Sequence, residues 1–312
     1  MTESPTRAMT ATEWALLLIL SLFWGGSFFF VGVAVKQLPP LTIVALRVSI
    51  AAAILLLSAP LTGLAMPRSR AAWSALMRLA LVNNVAPFCL IVWGQTHLAS
   101  GLAAILNATT PLFTVFAANA LTRDERLTPQ RLAGALCGLV GVAAMIGPQA
   151  IAEGFGSNIA AELAILAAAA SYAIGSIYGR RFRAMGLAPI AVTAGQVTAA
   201  SFVLAPLALV VDRPWSLPAP GLDAVAAVVA LASISTALAY ILYFRILAGA
   251  GATNVVLVTL LAPVSSIMLG AIFLDERLAT RHFIGLSLIA LGLAFIDGRL
   301  FRWRHTAARG AG

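Results

Sequence analysis

Arg47 stands seven residues inside the apolar run "LTIVALRVSIAAAILLL". A guanidinium offers a planar fork of donors that matches a carboxylate with two parallel hydrogen bonds, so an arginine in such a place is suited to recognising an acid group. By helical rise it lies roughly 10 Å in from the start of the run, where insertion of an arginine costs up to about 2.5–3.5 kcal/mol. The alternative is a structural arginine that snorkels toward the interface or ties helices together. Two further polar pairs break apolar runs: Asn83 and Asn84 in "LVNNVAPF", and Ser235 and Thr236 in "SISTALAY". Beside a proline such groups can satisfy freed backbone carbonyls, or they can line a cavity. Among the aromatic residues, Trp24, Tyr172 and Tyr240 are deepest in their runs and are the best candidates for a cavity wall. Phe28, Trp93, Tyr178 and Tyr243 suit an interfacial position equally well.

Other chemistries lack their residues. His97, His282 and His305 are scattered, and no His-Glu-x-x-His, Gly-x-Ser-x-Gly or Gly-x-Gly-Asp pattern occurs. No glycine loop is present to cradle a phosphate, so direct coupling to ATP is not expected. The reading is of a protein that is not an enzyme, with no cofactor and no metal. Cys89 and Cys137 both lie in apolar runs and suggest no disulfide framework. All eleven carboxylates fall in connections or within a few residues of a run's end. A proton-coupled exporter of lipophilic cations needs a titratable acid at depth, so neutral or zwitterionic substrates are favoured, moving down their own gradient or by exchange.

The elements that must position these residues are membrane helices. The chain is 61% hydrophobic and 10% charged, with a mean hydropathy of +0.97, which excludes a soluble globular class. A net charge of +9 raises the question of nucleic acid, but the arginines sit in short connections instead of on one basic face, so no nucleic-acid partner is expected. A crossing helix needs roughly 20 mostly apolar residues. Ten runs qualify, near 13–35, 41–60, 72–96, 101–121, 129–147, 159–179, 188–211, 221–246, 253–274 and 281–298, the third and eighth being the least clean. The first run is too long for a signal-peptide core and lacks a cleavage pattern, so it reads as a retained span. If the connections alternate between sides, one side collects fourteen basic residues, including Arg68, Arg180 and Arg302, and the other only Lys36, Arg213, Arg277 and Arg281. That asymmetry predicts ten spans with both termini cytoplasmic.

The tetrapeptide Asp-Glu-Arg-Leu occurs at Asp124–Leu127 and again at Asp275–Leu278, an offset of 151. The match extends outward: Gly134 falls on Gly285, Gly141 on Gly292, Arg47 on Gln196, Trp24 on Tyr172, and Asn83–Asn84 on Ser235–Thr236. The chain reads as two five-helix repeats, residues 1–150 and 151–312, the second ending in a basic tail. Five is odd, so the second repeat enters the membrane from the opposite face. Inverted repeats are the architecture of alternating-access carriers. The tetrapeptide is expected to form a hydrophilic corner by local ion pairing and helix capping. Asn107, Thr110, Thr114 and Ala118 share one helical face, as do their mates Thr259, Ala262, Ser266 and Gly270. Small residues at this spacing favour close helix packing over binding, as do Gly134, Gly138 and Gly141.

The stretch "LFWGGSFFFVGVAVKQLPPLTIVALR" resembles the opening of the EamA repeat, with Trp24-Gly25, Lys36, the prolines at 39 and 40, and Ala45-Leu46-Arg47 in order. The segments from Pro111 to Gly141 and from Pro263 to Gly292 resemble its close. The chain is thus similar over nearly its whole length to ten-helix exporters of the drug/metabolite transporter superfamily, departing from the pattern at Tyr172-Ala173. The resemblance implies a bacterial inner-membrane carrier, and exporters of amino acids, aromatic ones included, are among the proteins it is similar to. The expectation is an all-α integral membrane exporter whose substrate site draws on Trp24, Arg47, Asn83, Asn84, Tyr172, Gln196, Ser235 and Tyr240. Its partners are a small-molecule substrate and the lipid bilayer, with a monomer as the expected unit. A multidrug or nucleotide-sugar carrier of the same fold is the alternative, and a membrane receptor or scaffold a more remote one.

Overall fold

A computed structural model describes residues 10–121, 128–146, 157–250 and 258–297, and among these there is no strand. Helices occupy all ten expected runs: α1 Ala11–Ala34, α2 Pro40–Leu57, α3 Arg70–Gln95 and α4 Ser100–Leu121, and α5 Pro129–Ile146. They continue with α6 Ser157–Gly179, α7 Pro189–Asp212, α8 Leu222–Leu247, α9 Val258–Phe273 and α10 Thr280–Asp297. Seven of them, α1–α4 and α6–α8, are long and apolar enough to cross a membrane, while α5 and α9 carry the shorter apolar stretches Leu132–Ala144 and Leu261–Phe273. The first Asp-Glu-Arg-Leu copy and the basic tail after 297 lie outside the described residues.

Local chemistry sets the helix starts. Thr10 and Glu13 form a reciprocal capping box on α1. Pro40 opens α2, where a missing N–H has no consequence, and Ser69 accepts from the Ala72 N–H at 3.1 Å to open α3. The runs that looked least clean, the third and the eighth, are those in which the helix widens into a π turn, at Leu81–Val85 and Ser233–Leu238. Both turns contain the polar pair, and both leave carbonyls short of a regular partner. In α8 the Thr236 hydroxyl fills this need within its own helix, donating to Leu231 O at 2.8 Å. In α3 it is Ser171 of α6 that donates to Val82 O, at 2.6 Å.

Contacts between helices come in matched sets. The helix α2 packs on α7, α5 on α10 and α4 on α9, while α1 packs on α8 and α9 as α6 packs on α3 and α4. Adding five to each helix number maps this set onto itself. Small residues permit the closest crossings. A Cβ on Gly141 would sit 2.8 Å from Gly285 O, and one on Gly292 would strike the backbone at Gly134. Ala262, Ser266 and Gly270 of α9 likewise meet Gly25, Ser100 and Glu276, which is the packing role expected of that face. In α4, the Thr110 and Thr114 hydroxyls bond back to their own helix. Large apolar side chains such as Leu57, Phe202 and Val210 point outward, as a lipid-facing surface requires.

The connections between α1 and α2, α3 and α4, α7 and α8, and α9 and α10 gather at one end, and carboxylates stitch that end together. Asp212 at the close of α7 accepts from the N–H and hydroxyl of Thr42 in the first turn of α2, at 2.7 and 2.8 Å. Gln37 accepts from Gly221 N at the start of α8 and donates to Asp223. Glu276 accepts from Ser100 N at 2.7 Å, Ser100 Oγ at 2.8 Å and Gly101 N at 3.2 Å, closing the start of α4. The second Asp-Glu-Arg-Leu copy thereby gains a division of labour. Asp275 takes a left-handed turn with φ of 54°, which its short polar side chain tolerates, Glu276 caps a distant helix, and Leu278 packs into the core. The capping expectation holds across the fold instead of locally, and no ion pair involves Asp275, Glu276 or Arg277 among the described residues.

Candidate functional site

Arg47 projects from the middle of α2 and is 8% exposed. Its Nε donates to Thr236 Oγ1 at 3.0 Å, and its guanidinium carbon lies 3.8 Å from the centroid of the Phe88 ring. A cation over an aromatic face gains up to about 2 kcal/mol when water is excluded. Its terminal nitrogens donate no hydrogen bond, and no carboxylate pairs with it among the described residues. Tyr172 and Tyr240 lie within electrostatic range, and the Tyr172 ring meets Phe88 edge-on at 6.4 Å. The result is a buried cation in an aromatic enclosure with its strongest donors unused.

The repeat mate of Arg47 makes the matching contact. Gln196 of α7 accepts from Asn83 Nδ2 at 3.0 Å, so the second helix of each half reaches the π turn of the other half. Each polar pair has one bonded and one unbonded member: Asn83 and Thr236 are bonded, while Asn84 and Ser235, their respective neighbours, are not. Asn84 is fully buried with neither amide atom hydrogen-bonded. Tyr240 stands beside it without completing a bond of normal geometry. Ser235 is buried beside Gly26 of α1 with its hydroxyl unpaired. A buried polar group left unsatisfied costs about 1–3 kcal/mol, and native proteins carry few of them. Asn84 and Ser235 are two such residues, one in each turn, and the terminal nitrogens of Arg47 stand without a hydrogen bond beside Tyr172 and Tyr240.

The structure thus brings together Arg47, Asn84, Tyr172 and Tyr240, and separately pairs Asn83 with Gln196. Trp24 stands apart, in an apolar cluster with Leu17 and Leu20, its ring centroid 5.5 Å from that of Tyr243, which lies within electrostatic range of Tyr240. Phe88 and Thr236 were not among the expected site residues. Phe88 follows Asn84 by four positions, the spacing that places two side chains on one helical face, and that was the available signal. Glu162 lies near the start of α6, as the sequence suggested, and is buried there, with Oε2 lacking a hydrogen-bond partner and Arg281 within electrostatic range. Cys89 and Cys137 are free.

Comparison with known proteins follows the same lines. The model of the EamA-like transporter family matches residues 12–147 and 159–297. A protein of Escherichia coli strain K12 named "Probable amino-acid metabolite efflux pump" is 27% identical, the match covering 97% of this chain and 100% of that protein. A second from the same strain, named "Uncharacterized inner membrane transporter YedA", is 28% identical over 90% of this chain and 89% of its own length. A solved crystal structure at 22% identity has the same fold, with a TM-score of 0.65 over 92% of this chain and 98% of that one. A family model that fits both halves of the sequence, on a bundle of apolar helices, leads to one assignment: the chain is a membrane transporter and belongs to the EamA-like transporter family.

Proposed function

We propose that this protein exports amino acids or related small neutral or zwitterionic metabolites across a bacterial inner membrane, by alternating access and without ATP. The observation that carries the reading is Arg47, a guanidinium buried among Phe88, Tyr172 and Tyr240 with no acidic partner among the described residues. A buried cation left unpaired is costly, and a substrate carboxylate would complete it with two charge-assisted hydrogen bonds. Asn84 and Ser235 offer an acceptor and donors for the rest of a polar head group, and the aromatic rings would receive an apolar side chain. The names of the Escherichia coli relatives, one an amino-acid metabolite efflux pump and one an inner membrane transporter, agree with this reading. The matched helix contacts, with the family model fitting each half, support the companion proposal that the halves are inverted repeats exchanging conformations.

The test is counterflow. Purified protein in liposomes loaded with unlabelled L-phenylalanine should accumulate labelled L-phenylalanine transiently, without ATP, and a panel of labelled neutral amino acids should define the preference. Absence of counterflow for every member of the panel, by protein shown to be folded, would refute the proposal.

A further inference from the structure

At the end of the bundle opposite the stitched rim, five arginines stand exposed on two segments. Arg68, Arg70 and Arg78 lie around the start of α3, and Arg181 and Arg183 lie in the short helical turn Arg181–Ala184 that joins α6 to α7. Phe182 fastens the two segments together. It is 2% exposed and shares one apolar cluster with Ala75, Leu76 and Leu79 of α3, so the arginines on either side of it come to lie beside the start of that helix. None of the five meets a carboxylate among the described residues. Arg78 donates to Ser74 Oγ at 3.1 Å, one turn back toward the helix start, and the Arg181 guanidinium carbon lies 4.4 Å from the centroid of the Tyr178 ring. No hydrogen bond or ion pair reaches the side chains of Arg68, Arg70 or Arg183 among the described residues.

Like charges gathered without a counter-ion repel one another, and an anion relieves them. The form of the anion follows from α3. Arg70, Ser74, Arg78 and Leu81 are all exposed and recur at the spacing of one helical face, which is polar over its first two turns and apolar beyond. Arg78 lies about 12 Å along the helix from Arg70, and its bond to Ser74 carries its charge back toward the membrane surface. A polar head followed by an apolar tail is the order of a phospholipid. We propose that this end of the bundle binds an anionic phospholipid, whose phosphate takes charge-assisted hydrogen bonds from Arg78 and the arginines of the α6–α7 turn and whose acyl chain lies along α3 past Leu81. Basic pockets between membrane helices suit such head groups. The site stands whatever substrate the protein carries.

Native mass spectrometry of the full chain in a non-ionic detergent, titrated with dioleoyl phosphatidylglycerol, counts bound lipid and reads its affinity. Phosphatidylglycerol should bind at least tenfold more tightly than dioleoyl phosphatidylcholine, whose head group carries no net charge. Each basic side chain at an anionic surface contributes roughly fivefold in affinity. Arg78→Gln with Arg181→Gln should therefore weaken phosphatidylglycerol at least tenfold, and Arg78→Lys with Arg181→Lys, which keeps the charge, should restore most of the binding. Arg68→Gln with Arg70→Gln, at positions that precede the packed part of α3, should also weaken it, and carries the test if the first pair does not fold. Arg213→Gln with Arg277→Gln removes two exposed arginines from the stitched rim and should leave the affinity unchanged. An equal loss in that control pair would make the attraction one of total charge and overturn the site. Equal affinity for phosphatidylcholine, or no loss in either glutamine pair near α3, would overturn it too. Displacement of the lipid by soluble glycerol 3-phosphate at matching concentration would give these arginines to a free phosphate and refute the lipid assignment.

Discussion

Arg47 is completed on one side by Thr236 and Phe88 and left open on the other. If the open side meets a substrate carboxylate, Arg47→Gln, which imitates its repeat mate Gln196, should lower apparent affinity for free amino acids. The expected loss is roughly tenfold to a hundredfold, from the about 1.5–3 kcal/mol of a hydrogen bond to a charged group. Amides of the same amino acids should be spared, and competition in counterflow reads the difference. An equal loss for both would make Arg47 a scaffold residue. Glu162 gives a second residue-scale prediction, because among the described residues it is a buried carboxylate with an oxygen that accepts no hydrogen bond. Flux should persist after collapse of an imposed pH gradient and in Glu162→Gln; strict dependence on the gradient, abolished by that substitution, would identify Glu162 as a proton carrier. Arg47, Asn84 and Tyr240 were legible in sequence because a polar group in an apolar run is conspicuous. Phe88 was not among them: its four-residue spacing from Asn84 set it on the same face, but one phenylalanine among fifteen is inconspicuous in an apolar run.

At the scale of the element, neighbouring glycines behave oppositely. A Cβ on Gly25 would lie 2.5 Å from Ala262 O and 2.6 Å from Ser265 Cβ, where α1 crosses α9, whereas on Gly26 the nearest atom is Phe30 Cε2 at 3.6 Å. Gly25→Ala should therefore destabilise the protein by about 1–3 kcal/mol through overpacking. Gly26→Ala should be neutral or gain up to about 1 kcal/mol, since the helix loses a flexible residue. Thermal unfolding in one detergent would rank the pair, and a Gly26→Ala protein less stable than Gly25→Ala would contradict the packing described here. The helices themselves were readable as apolar runs of sufficient length, and the two least clean runs are those in which the helices widen, a widening the sequence alone did not predict. The role of Glu276 was not readable, because the start of α4 lies 176 residues away in the chain and only the fold brings them together.

For the whole molecule, the charge asymmetry makes a topological prediction. With Cys89 and Cys137 replaced, a cysteine at Ala279 should react with a membrane-impermeant maleimide applied to intact cells, and a reporter fused after Gly312 should be active only if it works in the cytoplasm. Labelling at 279 solely from the inside would overturn the ten-span topology proposed here. The duplication proposed here rests on the repeated tetrapeptide and its outlying glycines, whose spacing two copies of one segment would keep even where side chains diverge, as at Arg47 and Gln196. How the halves hold each other was not legible in that way. Asp212 on Thr42, Gln37 on Gly221 and Glu276 on Ser100 each bind a helix start belonging to the opposite half. Such clasps act in parallel on a single rim, like several buttons on one seam: under the alternating-access mechanism proposed here, parting the halves at this rim requires all three to be undone.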